Sequence, residues 1–378
     1  MWTPFTREDS TYSQTDESDE ADDESVSQEQ RGLSSNISKA QEDEVKVPYV
    51  ELEEDTFGMW VCSLARDAHF VAKESSQPQG ARKFRMFTVV FLLIVTLLIQ
   101  IWLLAKVKQF VSAKAVLDIR DAYSLFELTM CGEDVTWTRH EHARCSPGAF
   151  PAFEEAKLKL SELDSEDQAD ICRIPLSQPY FFATVLLVWT ITCISDVRKA
   201  CRLQMIVLYL QTTESMAGAA DLIDDGDDDD DTSDDVIVIR KMTCLMKIVI
   251  TVTTFIPRVS ITVYLLWVGC RWLLGTNQFD ELILNAIALE FILQQKDSIY
   301  EALVPQQSKE ARACTVLHPV WKRSKLTYTS VSLQAFGLLI VSAGWVVAYM
   351  HNIQDVLPGY GWDVNSVCED YILTAYKV

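Results

Sequence analysis

Long apolar runs alternate with long polar segments along the chain, and three of the runs are apolar on every helical face. Residues 87–105, FTVVFLLIVTLLIQIWLLA, contain no charged group and would span about 28 Å as a helix. Residues 180–195 form a shorter run between Pro179 and a group of basic residues. Residues 326–350 form the third run, with aromatic side chains near both ends. We therefore predict three membrane-spanning helices from these runs.

A fourth apolar region, residues 241–275, is too long for one straight span and contains Pro257 and Arg258 near its middle. Two registers fit this pattern. In one, residues 248–270 span the bilayer with Arg258 near its centre. In the other, an interfacial helix ends at residue 256 and only the second half of the region spans. The sequence leaves both registers open.

The next segment, residues 279–293, reads FDELILNAIALEFIL and carries Asn285 and Glu290. Its uncharged core is short for a membrane span, so length alone indicates a re-entrant, interfacial or buried helix. Basic residues follow the second run and precede both region 241–275 and the last run, which is typical of cytoplasmic flanks. This bias requires one more crossing, and only residues 276–297 can supply it.

These patterns predict an all-α fold, a multi-pass transmembrane bundle of about five spans with the N-terminus cytosolic and the C-terminus outside. The predicted segments are a disordered acidic tail (1–56), an interfacial juxtamembrane segment (57–81), the first span (82–110), an extracytoplasmic segment (111–178), the second span (179–197), a cytosolic loop (198–240), the third span, kinked at Pro257 (241–275), a short fourth span or re-entrant helix (276–297), a basic cytosolic loop (298–325), the fifth span (326–350) and an extracytoplasmic tail (351–378).

The charge distribution supports this division of the chain. The formal net charge is -21, yet residues 1–60 hold 17 acids and 4 bases, and residues 221–235 hold 10 Asp and no bases. These two segments contribute -13 and -10, so the rest of the chain carries about +2. Both segments lack the apolar residues of a packed core, and we expect solvated, self-repelling chain there. The acidic balance argues against nucleic acid as a partner.

Four cysteines fall on the predicted outer side of the membrane: Cys131, Cys145, Cys172 and Cys368. An even number in an oxidising compartment indicates two disulfides, and the sequence does not choose among the three possible pairings. The other six cysteines lie in lipid or cytosol and are predicted to be free. Cys131 and Cys145 with His140 and His142 also offer zinc-ligand types, but their spacing is not that of a standard zinc site, so we predict no metal.

Charged and polar groups inside the predicted membrane region are the candidate functional residues, because such groups are costly in lipid. They are Arg258, Arg271, Asn285 and Glu290. An arginine paired with Glu290 would either line a transport pathway or lock two helices together. The chain has no phosphate-binding loop, nucleophile elbow, kinase motif or HExxH motif, so we predict neither enzymatic activity nor a cofactor.

Residues 277–305, NQFDELILNAIALEFILQQKDSIYEALVP, resemble a segment of poorly characterised multi-pass membrane proteins of microbial algae, some of them channel-like. The resemblance covers under a tenth of the chain and carries over no functional residue. It implies membrane transport.

We therefore predict ion or small-solute transport in a plasma membrane or endomembrane, with the lipid bilayer as the first partner and a homo- or hetero-oligomer as the assembly. The alternative is a non-transporting scaffold or receptor, whose acidic cytosolic segments recruit basic proteins or bind divalent cations weakly.

Overall fold

The computed structural model describes residues 50–72, 79–137, 143–213, 223–224, 237–319 and 328–375. The predicted acidic tail up to residue 49 and most of the Asp-rich segment lie outside this part. The structure is mostly helical, at 78%. The helices are α1 (Thr56–Ala72), α2 (Gln79–Lys106), α3 (Ala113–Cys131), α4 (Phe153–Ser161), α5 (Ser165–Cys172), α6 (Pro179–Tyr209), α7 (Cys244–Ile250), α8 (Ile256–Gly275), α9 (Phe279–Leu303), α10 (Gln306–Ala313), α11 (Tyr328–Ala348) and α12 (Asp363–Ala375).

Short strands accompany the helices, so the all-α prediction holds for the bundle but not for its edges. The strands are β1 (Val50–Glu51), β2 (Val135–Trp137), β3 (Ala143–Cys145), β4 (Gln211–Thr213), β5 (Ile223–Asp224), β6 (Ile237–Ile239), β7 (Lys241–Thr243) and β8 (Thr315–Leu317). One sheet has the order β1-β8-β6-β5, in which β8 pairs antiparallel with β1 and parallel with β6. The other described pairs are β2 with β3 and β4 with β7.

Four helical stretches in the described chain are long and apolar enough to cross a membrane: Arg82–Cys131, Pro179–Tyr209, Cys244–Gly275 and Ser332–Ile353. They coincide with four of the five predicted spans. The second is much longer than the predicted 179–197, because the helix continues through Asp196 to Tyr209. As a helix, the apolar run 180–195 would extend only about 24 Å, less than the roughly 30 Å of a bilayer core. A helix that crosses a bilayer here must therefore continue beyond residue 195.

The stretch Arg82–Cys131 has 50 residues and would extend about 75 Å, far more than a bilayer requires. A π-helical turn, Val107–Ser112, joins α2 to α3 without breaking the helix. The chain becomes polar after this turn, and α3 continues to Cys131. The helix that contains the first predicted span therefore continues past residue 110 through α3.

The stretch through Pro257 is one continuous helix, which favours the register with Arg258 near its middle. A π-helical turn, Thr251–Phe255, comes immediately before Pro257. Proline lacks the N–H that a regular helix would use, and such turns accommodate a local change in the hydrogen-bond pattern. The turn therefore lets α7 and α8 follow each other without an interfacial break.

Helix α9 extends along the full length of the bundle, as its neighbours do. Its charged residues exclude it from the four apolar stretches named above. Near its start, Glu281 and Asn285 line a cavity beside α3. Near its end, the Lys296 carbonyl accepts a hydrogen bond from Thr56 at 2.8 Å, and the Tyr300 hydroxyl accepts one from Arg312 at 2.9 Å. This path is that of a full-length bundle helix.

Two disulfides lie at one end of the bundle, which we call the disulfide end. They join Cys131 to Cys145 and Cys172 to Cys368, with Cα–Cα distances of 5.7 and 5.3 Å. The four predicted cysteines are thus confirmed as two pairs. The other six cysteines are free, as predicted. Cys172 and Cys368 also place the chain before α6 and after α11 at the same end, which requires an even number of helical passes between them. The four passes are α6, the continuous α7 and α8, α9, and α11.

The opposite end, which we call the arm end, is built around residues 50–55, the arm. The arm pairs with β8 through β1 and leads into α1. Helix α1 is buried on nearly every side over its first twelve residues, and Trp60 donates a hydrogen bond to Thr253 at 2.8 Å. An interfacial helix keeps one face in water, whereas α1 packs among other helices over these residues.

Candidate functional site: a buried charge cluster

Arg258 lies at the centre of a group of buried charges at the arm side of the bundle. Its guanidinium Nη2 lies 2.8 Å from Asp196 Oδ1, and Nη1 lies 2.8 Å from Glu53 Oε2 and 3.2 Å from Asp55 Oδ2. The Arg258 side chain is only 3% exposed. Since a buried guanidinium is stable only when its charge and its donors are matched, these three carboxylates account for its position.

Lys296 adds a second cation to the same group. Its ammonium lies 3.0 Å from Asp196 Oδ1, and the Thr262 hydroxyl lies 2.9 Å from Asp196 Oδ2. Asp196 is therefore shared between α8 and α9. We call Glu53, Asp55, Asp196, Arg258 and Lys296 the charge cluster. It contains three acids and two bases, so its formal charge is -1 when every group is ionised.

The helices place three members of the charge cluster at one level. Asp196 lies 17 positions after Pro179, Arg258 lies 17 positions before Gly275, and Lys296 lies 17 positions after Phe279. At 1.5 Å per residue, each is about 25 Å from the disulfide end of its helix. The charges on these three helices therefore meet because each lies at the same distance from the disulfide end of its helix.

The arm brings the remaining two carboxylates to this level from the opposite side. Arg312 holds the arm by donating to the Leu52 carbonyl at 2.7 Å and to Glu54 Oε1 at 2.6 Å. Asp55 Oδ1 accepts the Gly58 N–H at 2.6 Å, which caps the start of α1. Gly58 is required here, because a Cβ would lie 2.2 Å from the Glu53 carbonyl oxygen. The backbone of the arm therefore lies in close contact with Gly58 of α1, and the arm carboxylates reach Arg258 from this position.

A cavity of about 760 Å³ opens at the disulfide end. Four carboxylates and one cation line it, together with polar groups from the start of α9. These residues include Asp118, Asp121, Asp170, Glu281 and Lys114. Asn285 also lines it and donates to Thr276 Oγ1 at 2.9 Å. The acidic lining favours cations over anions.

A second cavity, of about 440 Å³, lies at the arm end and is lined by the arm, Arg202 and Arg312. Glu53 lines this cavity and also contacts Arg258, so it links the cavity to the charge cluster. A smaller void of about 10 Å³ lies against Arg258 and Gln204 and is near the size that one water needs. Gln204 Oε1 has no hydrogen-bond partner among the described residues.

An apolar layer separates the disulfide-end cavity from the charge cluster. Between Asn285 and Lys296, α9 buries Leu289, Ile292 and Leu293 in one hydrophobic core with side chains of α6 and α8. The packing is close at Gly269, where a Cβ would lie 2.6 Å from Trp189 Nε1. Along the bundle the order is therefore acidic cavity, apolar layer, charge cluster and arm-end cavity.

The four residues predicted from the sequence occupy different parts of this arrangement. Arg258 is in the charge cluster, Asn285 lines the disulfide-end cavity, and Arg271 pairs with Asp355 at 2.6 Å near the disulfide end. Glu290 accepts from Gln294 at 2.7 Å, so the predicted pairing of an arginine with Glu290 is wrong. Lys296 is six residues further along α9 and lies on another face, because six residues turn a helix by about 240°.

Sequence reasoning missed Glu53, Asp55, Asp196 and Lys296. Asp196 and Lys296 are each the second-last residue of a predicted segment, 179–197 and 276–297, so the sequence pattern assigns neither to the interior of the bundle. The signal that locates Asp196 inside the bundle is the shortness of the run 180–195, which forces the helix past it. The arm gives no comparable signal, because its two carboxylates resemble the rest of an acidic segment.

The zinc alternative at Cys131 and Cys145 is not supported by the sulfur chemistry, because the two sulfurs are joined in a disulfide. Glu127 lies beside them and accepts the Cys145 N–H at 2.8 Å. His140 and His142 lie outside the described residues.

Comparison with known proteins identifies no relative: no family model matches the chain, and no curated protein or solved structure is significantly similar to it. The four long apolar helical stretches of the described chain are compatible with a membrane protein.

Proposed function

We propose that this chain is a multi-pass membrane protein that transports ions or small solutes through its helical bundle, with cations as the favoured class. The observation that carries the proposal is the charge cluster, which lies beyond an apolar layer from one cavity and in contact with a second. Charges within a bundle that spans a membrane are expensive, and they commonly mark an ion or substrate pathway. An acidic cavity at one mouth concentrates cations.

The orientation follows from chemistry at the two ends. Disulfides form in oxidising compartments, which makes the disulfide end extracytoplasmic. Three basic residues, Arg198, Lys199 and Arg202, lie in the part of α6 nearest the arm end, which fits the cytosolic side. With α9 as a crossing, this gives five passes, a cytosolic N-terminus and an extracytoplasmic C-terminus. The apolar layer then closes the pathway from the extracytoplasmic cavity, as in a closed state of a transporter.

The test is ion flux in proteoliposomes that contain the purified full chain. Asp196→Asn removes the carboxylate shared by both cations and brings the formal charge of the cluster to zero. We expect cation flux from the natural chain and at least a tenfold loss in Asp196→Asn. Glu301→Gln is the matched control, because it makes the same change at an exposed position of α9.

Glu290→Gln in the same assay tests the face of α9 outside the cluster. A loss confined to Glu290→Gln would move the pathway to that face and remove the cluster from it. No flux above empty liposomes from the natural chain, for several cations and anions and with intact helicity, would contradict transport itself.

A further inference from the structure

The charge cluster has one carboxylate too many for its cations. The three acids of the cluster share one guanidinium and one ammonium in a region where Arg258 and Asp196 are 3% and 7% exposed. The half-exposed Asp297 also lies 3.8 Å from the Lys296 ammonium, which adds to the excess of acid. An uncompensated charge in such surroundings is costly, and a carboxyl group avoids this cost by taking up a proton. One bound proton would bring the formal charge of the cluster to zero.

The contacts of the three carboxylates differ, and they indicate which one can bind this proton. Asp196 faces both cations and the Thr262 hydroxyl, so neutralising it would leave the most contacts unmatched. Asp55 is buried and caps α1 through Gly58. Glu53 contacts the cluster through the Arg258 guanidinium, is 27% exposed and lines the arm-end cavity. Glu53 is therefore the carboxylate that water can reach at the lowest structural cost.

We propose that Glu53 is a proton-binding site of the charge cluster, which exchanges its proton with water in the arm-end cavity. The proton binds a Glu53 carboxylate oxygen, and the Glu53–Arg258 ion pair is lost. Arg258 keeps Asp196 and Asp55, so the protonated cluster has two acids and two bases. The arm is then held by Arg312 and by β1 pairing with β8, without its link to Arg258.

The electrostatic surroundings of Glu53 agree with this assignment. Burial raises the pKa of Glu53, the Arg258 guanidinium opposes this, and the nearby Asp55 and Asp196 carboxylates raise the pKa further. The charged groups of the described chain that line the arm-end cavity or belong to the charge cluster are Arg258 on α8, Asp196 and Arg202 on α6, Lys296 on α9, Arg312 on α10, and Glu51, Glu54 and Asp55 on the arm.

The raised pKa fixes the sign of the pH dependence. The folded protein holds the Glu53 proton at pH values where the unfolded chain, with a pKa near 4.5, has lost it. The stabilisation is therefore complete below the unfolded pKa and is lost as the pH rises through the folded pKa. Between these two values, the unfolding equilibrium constant should increase about tenfold per pH unit through this one group.

The test measures the pH dependence of unfolding of the full chain in detergent micelles, for the natural protein and for Glu53→Gln. We expect the tenfold dependence in the natural protein, and its loss in Glu53→Gln. Glu51→Gln is the matched control, since it changes an exposed carboxylate of the same arm and should keep the dependence. Infrared difference spectra across the same pH range should show a protonated carboxyl band that Glu53→Gln lacks.

Glu53→Ala serves as a second variant, because it removes the carboxyl group without placing an amide against Arg258. A pH dependence and infrared band that persist in the Glu53 variants would overturn the assignment, as would their loss in Asp55→Asn instead. This inference extends the proposed function to the proton as a ligand of the same cluster. Its test measures proton binding and not flux, so failure of either one is recognised separately.

Discussion

The disulfide end and the arm end of the bundle are stabilised by different chemistry. At the disulfide end, one disulfide joins α3 to β3, the other joins α5 to α12, and a packed aromatic group that includes Tyr123, Phe126 and Tyr360 lies in the same core. At the arm end, the arm and three helices meet through ion pairs around Arg258. Covalent bonds and apolar packing are insensitive to protonation, whereas ion pairs depend on it. A change in protonation should therefore alter the contacts that hold the arm end together more than the disulfides and the apolar packing of the disulfide end.

Removal of the Cys172–Cys368 disulfide should have the largest effect on stability. This bond closes a loop with a sequence separation of 196, against 14 for Cys131–Cys145. In the chain-entropy model, loops of these lengths correspond to about 5 and about 3 kcal/mol of stabilisation. We expect Cys172→Ser/Cys368→Ser to lower the free energy of unfolding by more than the variant that removes the shorter bond, as measured by denaturant unfolding in micelles.

The control for this prediction is Cys201→Ser/Cys244→Ser, because both cysteines are free and exposed. It should leave the free energy of unfolding unchanged. Equal losses from the two disulfide variants would mean that the long apolar helices already restrict the unfolded chain, and that the longer bond adds no extra constraint.

Arg258→Met should have the next largest effect, and at the arm end. The substitution leaves Lys296 as the only cation of the cluster, in contact with Asp196, and removes the cation that pairs with Glu53 and Asp55. Loss of one partner from a buried ion pair typically costs about 3–5 kcal/mol. The carboxylates would then bind protons more tightly in the folded state, so mild acid should restore part of the stability. Denaturant unfolding at neutral and at mildly acidic pH measures both effects.

A double variant, Arg258→Met with Glu53→Gln, sharpens this prediction. It removes one charge of each sign, and we expect it to be more stable than Arg258→Met alone. A double-mutant cycle with the two single variants gives the coupling energy directly. Strictly additive losses would show that Glu53 and Arg258 do not interact in solution, and the arm end would then lack the ion-pair character that distinguishes it.

The two ends also differ in how far the sequence predicts them. The four cysteines of the disulfide end follow from topology, because the predicted crossings place an even number on one side, although the pairing required the structure. At the arm end, only Arg258 follows from its position within an apolar run. Its partner Glu53 is 205 positions away along the chain, and no local pattern links the two.

Helix α9 shows the limit of hydropathy in a different way. Its charged residues hide it from a search for apolar spans, yet Leu289, Ile292, Leu293 and Lys296 form one buried stripe with helical spacing. Charge bias between flanking segments predicted the crossing. Which residues of α9 face the bundle depends on how it packs against α6 and α8, and for this reason Glu290 was predicted in place of Lys296.

Gly58→Ala should have the smallest of these effects, and it tests whether the arm is held as closely as the structure shows. The new Cβ would lie 2.2 Å from the Glu53 carbonyl oxygen, so the arm backbone must shift. Overpacking of this kind typically costs about 1–3 kcal/mol. We expect faster hydrogen exchange in the arm and the start of α1, with exchange at the disulfide end unchanged.

Gly344→Ala is the matched control, because it makes the same substitution in α11 at a position where a Cβ would meet nothing within 4 Å. Replacing glycine by alanine in an open helical position usually stabilises a protein by about 0.4–1 kcal/mol. The two substitutions should therefore change stability in opposite directions. If Gly58→Ala leaves exchange in the arm unchanged, the arm does not lie against α1 in solution. Glu53 would then not be held at Arg258, and the contrast between a covalent end and an ionic end would be lost.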